Sequence, residues 1–314
     1  MRILFAGTGE IGIPSLRFLA AHHTLVGVLT QPDRPAGRRR ELKSPAIKEE
    51  SIRLAPGVPI LQPESPRQPE VISWASHLAP EVMVTMAYGK ILPRELLDTP
   101  TLACLNIHAS LLPRHRGASP IQAAIAAGDH ESGVTIMHMA EGLDTGDILL
   151  EKRLMLRRRE TAGSLSARLA ELSPVALGES LHLLSSGLAT RTVQDDSLAS
   201  VTGKIGREET RLDWNRPARE LERKIRSLQP RPAAFCSLPL ARGGDVVIKV
   251  HSAIVDRDTT GPSGSIVRSD HRGLLVACGE GGLLLVRIQP EGKGVMRSSD
   301  FARGHALDVG GAPH

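Results

Sequence analysis

From Met1 to about Leu150, apolar runs of strand length alternate with helix-like stretches. The runs are Arg2–Ala6, Leu25–Leu29, Val58–Leu61, Glu81–Ala87, Thr101–Ile107 and Val134–Met139. Ser44–Leu54 and Pro69–His77 have helical character, and Ser119 can cap a further helix that starts at Pro120 and stops at Gly128. Strands that alternate with helices imply βαβ units and a parallel sheet. In such a sheet, ligands bind at the carboxyl ends of the strands.

The first run ends in Gly7-Thr-Gly9-Glu-Ile-Gly12, which matches the dinucleotide-binding fingerprint. Asp33 follows about twenty residues later, where a ribose-binding acid would sit. This pattern would make the chain an NAD(P)-dependent oxidoreductase. However, Asp33 lies in a Gln-Pro-Asp-Arg-Pro-Ala-Gly loop beyond the second strand. A tight strand-to-helix turn is therefore the favoured reading of the glycines.

The stretch from Cys104 to Leu150 carries the densest chemistry. Asn106 and His108 are two apart at the end of an apolar run, so an amide and an imidazole share one strand face about 7 Å apart. Ser110–Gly117 contains Pro113 and Gly117 and is expected to be a shaped loop. After Val134–Met139 comes Glu141-Gly-Leu-Asp-Thr-Gly-Asp147, in which Gly142 and Gly146 flank Asp144. A carboxylate on such a loop can be aimed at an imidazole on a neighbouring element.

Thr161–Leu184 suggests one or two helices, and the polar stretch Ser186–Ser200 suggests a linker. The expected division is a first domain over 1–186, a linker over 187–205 and a second domain over 206–314. The second domain shows a helix, Ala218–Leu228, and five short strands: Phe235–Pro239, Asp245–Val255, Gly264–Arg268, Leu274–Cys278 and Leu283–Gln289. That pattern suggests a small β-barrel. Aromatics make up only 2% of the chain, so Leu, Ile, Val and Ala must fill the cores. Of the net charge of +5, most lies from Gly206 onward, where 17 Lys and Arg face 13 Asp and Glu. A polyanionic partner fits this balance. A second basic feature is Arg34–Lys43, in which Arg34, Arg38, Arg39, Arg40 and Lys43 face only Glu41. Cys104, Cys236 and Cys278 have no metal-type spacing, which points to a reducing, cytoplasmic setting without a bound metal. No apolar run reaches membrane length, and a strand at Met1 leaves no room for a signal peptide.

Asn106-Ile-His108-Ala-Ser110-Leu-Leu-Pro113, with Gly142-Leu-Asp144-Thr-Gly146, resembles the folate-dependent formyltransferases over nearly the whole chain. The resemblance implies an α/β fold: a Rossmann-like parallel-sheet domain followed by an oligonucleotide-binding-like β-barrel. It implies 10-formyltetrahydrofolate as formyl donor and initiator methionyl-tRNA as acceptor, with a monomeric chain. Asn106, His108 and Asp144 would be catalytic. Asn106 would bind the developing oxyanion with His108 as a second donor, especially if protonated, and Asp144 would hold His108 and relay the proton. Ala87, Tyr88, Gly89, Ile91 and Leu92, together with Ser110, Leu111, Leu112, Pro113 and Gly142, would line the folate pocket. Arg38, Arg39, Arg40 and Lys43 would grip tRNA, with Arg38 at the position of the family's key arginine. The family usually carries Gly-Thr-Pro in the first loop, so Gly9 departs from it. A small amine, such as glycinamide ribonucleotide or an amino sugar, is the alternative acceptor. A noncatalytic RNA-binding module would leave Asn106, His108 and Asp144 without a role.

Overall fold

The computed structural model describes residues 1–36 and 41–310. The chain forms two compact units, one made of Met1–Pro120, Glu131–Met155 and Ser166–Gly203, the other of Ile121–His130, Leu156–Leu165 and Lys204–His314. In chain order the elements up to the end of the first unit are β1 (Arg2–Gly7), α1 (Ile13–His22), β2 (Thr24–Leu29), β3 (Arg34–Ala36), β4 (Glu41–Lys43), α2 (Ala46–Leu54), β5 (Ile60–Leu61), α3 (Pro69–His77), β6 (Val82–Met86), α4 (Arg94–Leu97), β7 (Ala103–His108), β8 (Arg116–Gly117), α5 (Pro120–Ala127), β9 (Glu131–His138), β10 (Ile148–Met155), α6 (Ala162–Ser185) and β11 (Val201–Thr202).

The first unit is built on a seven-stranded sheet of order β10-β9-β7-β6-β1-β2-β5. β5, β2, β1, β6 and β7 run parallel, and β9 and β10 add two antiparallel pairings at one edge. β6 is buried at every position, as a strand covered on both faces must be. Leu4 and Ala6 on one face of β1 pack with Met83, Val71, Ala75 and Leu96. The chain crosses to opposite sides of β1 to make β2 and then β6, so the switch point lies at the carboxyl ends of these strands. β7, with Asn106 and His108, lies beside β6 at that end.

Three features bear on the sequence expectation. Within the basic stretch, Arg34–Ala36 and Glu41–Lys43 form an antiparallel ribbon with Arg34 opposite Lys43. Its base is tied down by Asp33, whose carboxylate accepts from Lys48 Nζ at 2.7 and 2.9 Å, Gln62 Nε2 at 2.7 Å and Ser44 Oγ at 3.2 Å. Residues 37–40, including Arg38, Arg39 and Arg40, lie outside the described residues. Of the one or two helices expected over Thr161–Leu184, one forms: α6 continues through Pro174. The stretch expected to be a linker, 187–205, is partly built into the first unit. Thr192 pairs with Ile148, and Val201–Thr202 pair in parallel with Arg116–Gly117. Gln194, Asp196, Ser200 and Thr202 of this stretch make side-chain hydrogen bonds to the rest of the first unit.

The second unit carries α7 (Ala218–Ser227), β12 (Ala234–Pro239), β13 (Asp245–Asp256), β14 (Ile266–Asp270), β15 (Gly273–Ala277), β16 (Gly282–Pro290), β17 (Met296–Arg297) and α8 (Ser298–Gly304). The antiparallel order is β12-β13-β16-β15-β14, with β17 on β16. Ala218, Leu221, Ile225 and Leu228 recur at helical spacing and pack with Ile248, Val250, Leu283, Leu285 and Phe301. The two edge strands are joined by the end of the chain. Asp308 N donates to Pro239 O at 3.1 Å, and Gly310 N donates to Ile266 O at 2.9 Å. Residues 307–310 thereby bridge β12 and β14 and give the sheet its barrel-like closure. Among the described residues no helix is long and apolar enough to cross a membrane.

Gly9 does not distort the first loop. Its φ is −84° with ψ 162°, close to the φ that proline fixes, and a Cβ there meets nothing within 4 Å. Gly9→Pro should therefore raise stability by about 0.4–1 kcal/mol by restricting the unfolded chain. The check is the urea midpoint of the first transition against wild type, with a fall in the midpoint as the contrary result.

Candidate active site

The polar centre forms where β7 ends. Asn106 is half-buried and His108 is buried, on the same face of the strand. Asp144 reaches them from the loop between β9 and β10 in a left-handed conformation, φ +52°. Aspartate tolerates that region better than most residues. The flanking Gly146 is required for packing, since a Cβ there would lie 1.8 Å from the His138 carbonyl oxygen. Asn106 Nδ2 donates to Asp144 Oδ1 at 3.3 Å. His108 Nδ1 stands 3.5 Å from Asp144 Oδ2, and that same oxygen accepts the Gly117 backbone N–H at 2.8 Å. The three residues singled out in the sequence therefore converge.

Their neighbours set the orientation of each group. Thr85 Oγ1 on β6 donates to Asn106 Oδ1 at 2.7 Å. The carboxylate of Asp144 can only accept, so the amide turns its nitrogen toward Asp144 and its oxygen toward Thr85, and among the described residues one of the two Nδ2 hydrogens is uncommitted. His108 Nε2 lies 3.0 Å from the His115 carbonyl. A carbonyl can only accept, so the ring hydrogen is on Nε2 and Nδ1 is the site open to a proton. Burial holds the imidazole below its ordinary pKa, opposed by the nearby Asp144 carboxylate. The expectation that a protonated His108 donates to an oxyanion is thus disfavoured: Nε2 is occupied and burial opposes the charge. Thr85 and the backbone of His115 and Gly117 are the functional groups that sequence reading missed. Only Thr85 left a signal, as the one hydroxyl in the run Val-Met-Val-Thr-Met.

The loop after β7 is held internally. Ser110 Oγ donates to Arg114 O at 2.7 Å, and Thr135 Oγ1 donates to Ser110 O at 2.7 Å while accepting from Leu112 N at 3.1 Å. Ser110 and Leu112 are buried, whereas Leu111 and Pro113 are half-buried. Of the other expected folate residues, Ala87, Gly89, Ile91 and Gly142 are exposed. The side chains of Tyr88 and Leu92 are buried and belong to the apolar cluster around β1 and β6. The Tyr88 phenol is pushed up to about 12 by burial. Its backbone carbonyl accepts from Thr8 Oγ1 at 3.0 Å and Gln31 Nε2 at 2.7 Å.

A cleft of about 490 Å³ opens at the first glycine loop, lined by Thr8, Gly9, Glu10, Ile11, Lys43, Ala46, Glu49 and Ser166. Two carboxylates there oppose a pyrophosphate, and Asp33 is committed to Lys48, Gln62 and Ser44 rather than free for a ribose. The dinucleotide reading fails on both counts. Lys43, expected to contact tRNA, is exposed at the end of β4.

Comparison with known proteins agrees with this geometry. Residues 1–181 match the formyl transferase family, and residues 204–306 match the formyl transferase C-terminal domain. A methionyl-tRNA formyltransferase from Pseudomonas paraeruginosa is 46% identical over 316 residues, covering 98% of this chain and 99% of that protein. One from Akkermansia muciniphila is 42% identical over 306 residues, covering 97% of each. The fold is similar to that of WlaRD, a sugar 3N-formyl transferase, with TM-score 0.65, 16% identity and coverage of 93% and 98% of the two chains. It is also similar to HypX from Aquifex aeolicus in complex with tetrahydrofolic acid, with TM-score 0.62, 16% identity and coverage of 96% of this chain and 47% of that one. With both of its units matched and its full length shared at this identity, the chain belongs to the methionyl-tRNA formyltransferases.

Proposed function

We propose that the chain moves the formyl group of 10-formyltetrahydrofolate to the α-amine of methionine on initiator tRNA through Asn106, His108 and Asp144. The observation that carries the assignment of residues is the single polar centre these three make at the carboxyl end of β7. The neutral amine, whose ordinary pKa is about 8, attacks the formyl carbon. The uncommitted Nδ2 hydrogen of Asn106 donates to the oxygen as it gains charge. The amine proton passes to the space between His108 Nδ1 and Asp144 Oδ2, turning a contact between two acceptors into a charge-assisted hydrogen bond. Collapse of the tetrahedral intermediate breaks the carbon–nitrogen bond to the folate, and the proton returns to that leaving nitrogen. No covalent enzyme intermediate is required. Gly142, Gly89, Ala87 and Ile91, with Leu111 and Pro113, are the accessible part of the expected folate surface. Three buried free cysteines fit a reducing cytoplasmic setting.

Arg38, Arg39 and Arg40, which fall between β3 and β4 in the sequence, are proposed to grip tRNA phosphates together with Lys43. Arg38→Ala should lower kcat/KM for charged tRNA and flatten its salt dependence by roughly one unit of slope. Binding of 10-formyltetrahydrofolate should be unaffected. Unchanged salt dependence in the triple alanine variant would return the acceptor to a small amine.

Asp144→Asn keeps the shape but loses the proton acceptor, so kcat for formylation of methionyl-tRNA should fall by at least about a hundredfold. Turnover near that of wild type would remove Asp144 from the mechanism. For His108, a lowered pKa means that the ring takes its proton only below the ordinary value of about 6.5. Nitrogen NMR of labelled histidines should find His108 neutral, with its hydrogen on Nε2, at pH 6.5. A charged ring at pH 7 would contradict both the burial argument and the assignment of Nδ1 as proton acceptor.

A further inference from the structure

The loop that carries Asp144 is held at its backbone by one side chain from a distant part of the chain. Gln194 Nε2 donates to the Asp144 carbonyl at 2.8 Å and to the Gly146 carbonyl at 2.7 Å. Both hydrogens of one amide are thereby committed to the two carbonyls on either side of Thr145. The other end of the amide is equally fixed, because Gln194 Oε1 accepts from Arg116 Nε at 3.0 Å and Nη2 at 2.8 Å. Arg116 is buried and its Nη2 also pairs with Asp196 Oδ1 at 2.7 Å. The next residue along, Gly117, is the one whose N–H holds Asp144 Oδ2.

Gln194 itself is only 8% exposed, and its neighbours are anchored at both sides. Thr192 exchanges backbone hydrogen bonds of 2.8 and 2.9 Å with Ile148. Val201–Thr202 pair with Arg116–Gly117, and Ser200 Oγ accepts the His115 N–H at 2.9 Å. The segment is therefore a strap that touches both loops of the polar centre. Asp144 has a left-handed backbone, which the loop must be made to keep.

We infer that Gln194 is a positioning residue for Asp144: its two amide hydrogens hold the loop so that the carboxylate faces Asn106 and His108. The inference rests on the catalytic reading of Asp144. Gln194 touches no reacting atom in this scheme, so its loss acts on kcat through the aim of the carboxylate. Misplacement by about 1 Å can cost on the order of a hundredfold in rate.

The test compares Gln194→Met, which removes all polar contacts, with Gln194→Glu, which keeps the acceptor for Arg116 and removes both donors to the loop. Both variants should lose at least about tenfold in kcat for methionyl-tRNA, while KM for tRNA and for 10-formyltetrahydrofolate stays within about twofold. Placed in an Asp144→Asn background, Gln194→Met should cost less than a further twofold or so, because the two act through one group. Gln194→Glu with wild-type kcat would overturn the inference, since holding Arg116 would then be the whole role. Multiplying losses in the double variant would overturn it as well. Near-normal turnover by Asp144→Asn alone would overturn the catalytic reading and this inference together. A strong loss there with normal Gln194→Met would overturn this inference only.

Discussion

Both oxygens of the Asp144 carboxylate are spoken for by different parts of the chain. Oδ1 accepts from Asn106 on β7, and Oδ2 accepts the Gly117 N–H and faces His108. A carboxylate with only water for company could be reached from many directions. One with a strand amide and a backbone N–H already on it has one orientation, and His108 is left to complete the set. The remaining structure can be understood as what keeps these partners in place: β6 supplies Thr85 to turn the Asn106 amide, and the left-handed His115 supplies a carbonyl to fix the imidazole tautomer.

The sheet makes this arrangement possible and also constrains it. β1, β6 and β7 bury nearly every side chain, so polar groups can collect only where the strands end. Burying them there costs free energy unless each donor finds an acceptor. The hydroxyl of Thr85 and the Nε2 hydrogen of His108 both do so inside the protein. The hydrogen left over on Asn106 is the one that a substrate oxygen can take. Burial also suppresses the charge on His108, which keeps Nδ1 ready to receive a proton.

Period-two spacing made Asn106 and His108 readable from the sequence, because a strand fixes which side chains share a face. The helix after Ser119 was equally legible: it runs from Pro120 to Ala127, and Gly128 follows at φ +76°. Asp144 was legible as a candidate, though for an incomplete reason, since the aspartate itself takes the left-handed turn and Gly146 serves close packing. Backbone donors and acceptors were illegible. The N–H of Gly117 and the carbonyl of His115 belong to every residue alike, and only the fold selects them. The burial of Tyr88 and Leu92 was not legible, because a motif shared with a ligand loop does not say which side chains turn inward. The 187–205 stretch was misread because polar composition suits solvent and internal hydrogen bonding equally well.

The strap alters where the catalytic unit ends. Its polypeptide is complete only after Gly203, because Gln194, Ser200 and Thr202 are parts of its interior hydrogen bonding. Exchange of the segment from Lys204 onward during evolution would therefore have to splice after Gly203. A junction near residue 186, at the end of the long helix, would separate the Asp144 loop from its support. The connecting segment is thus inherited with the chemistry rather than with the module it leads to. Divergence of the chain downstream of it can proceed without disturbing the support of the Asp144 loop.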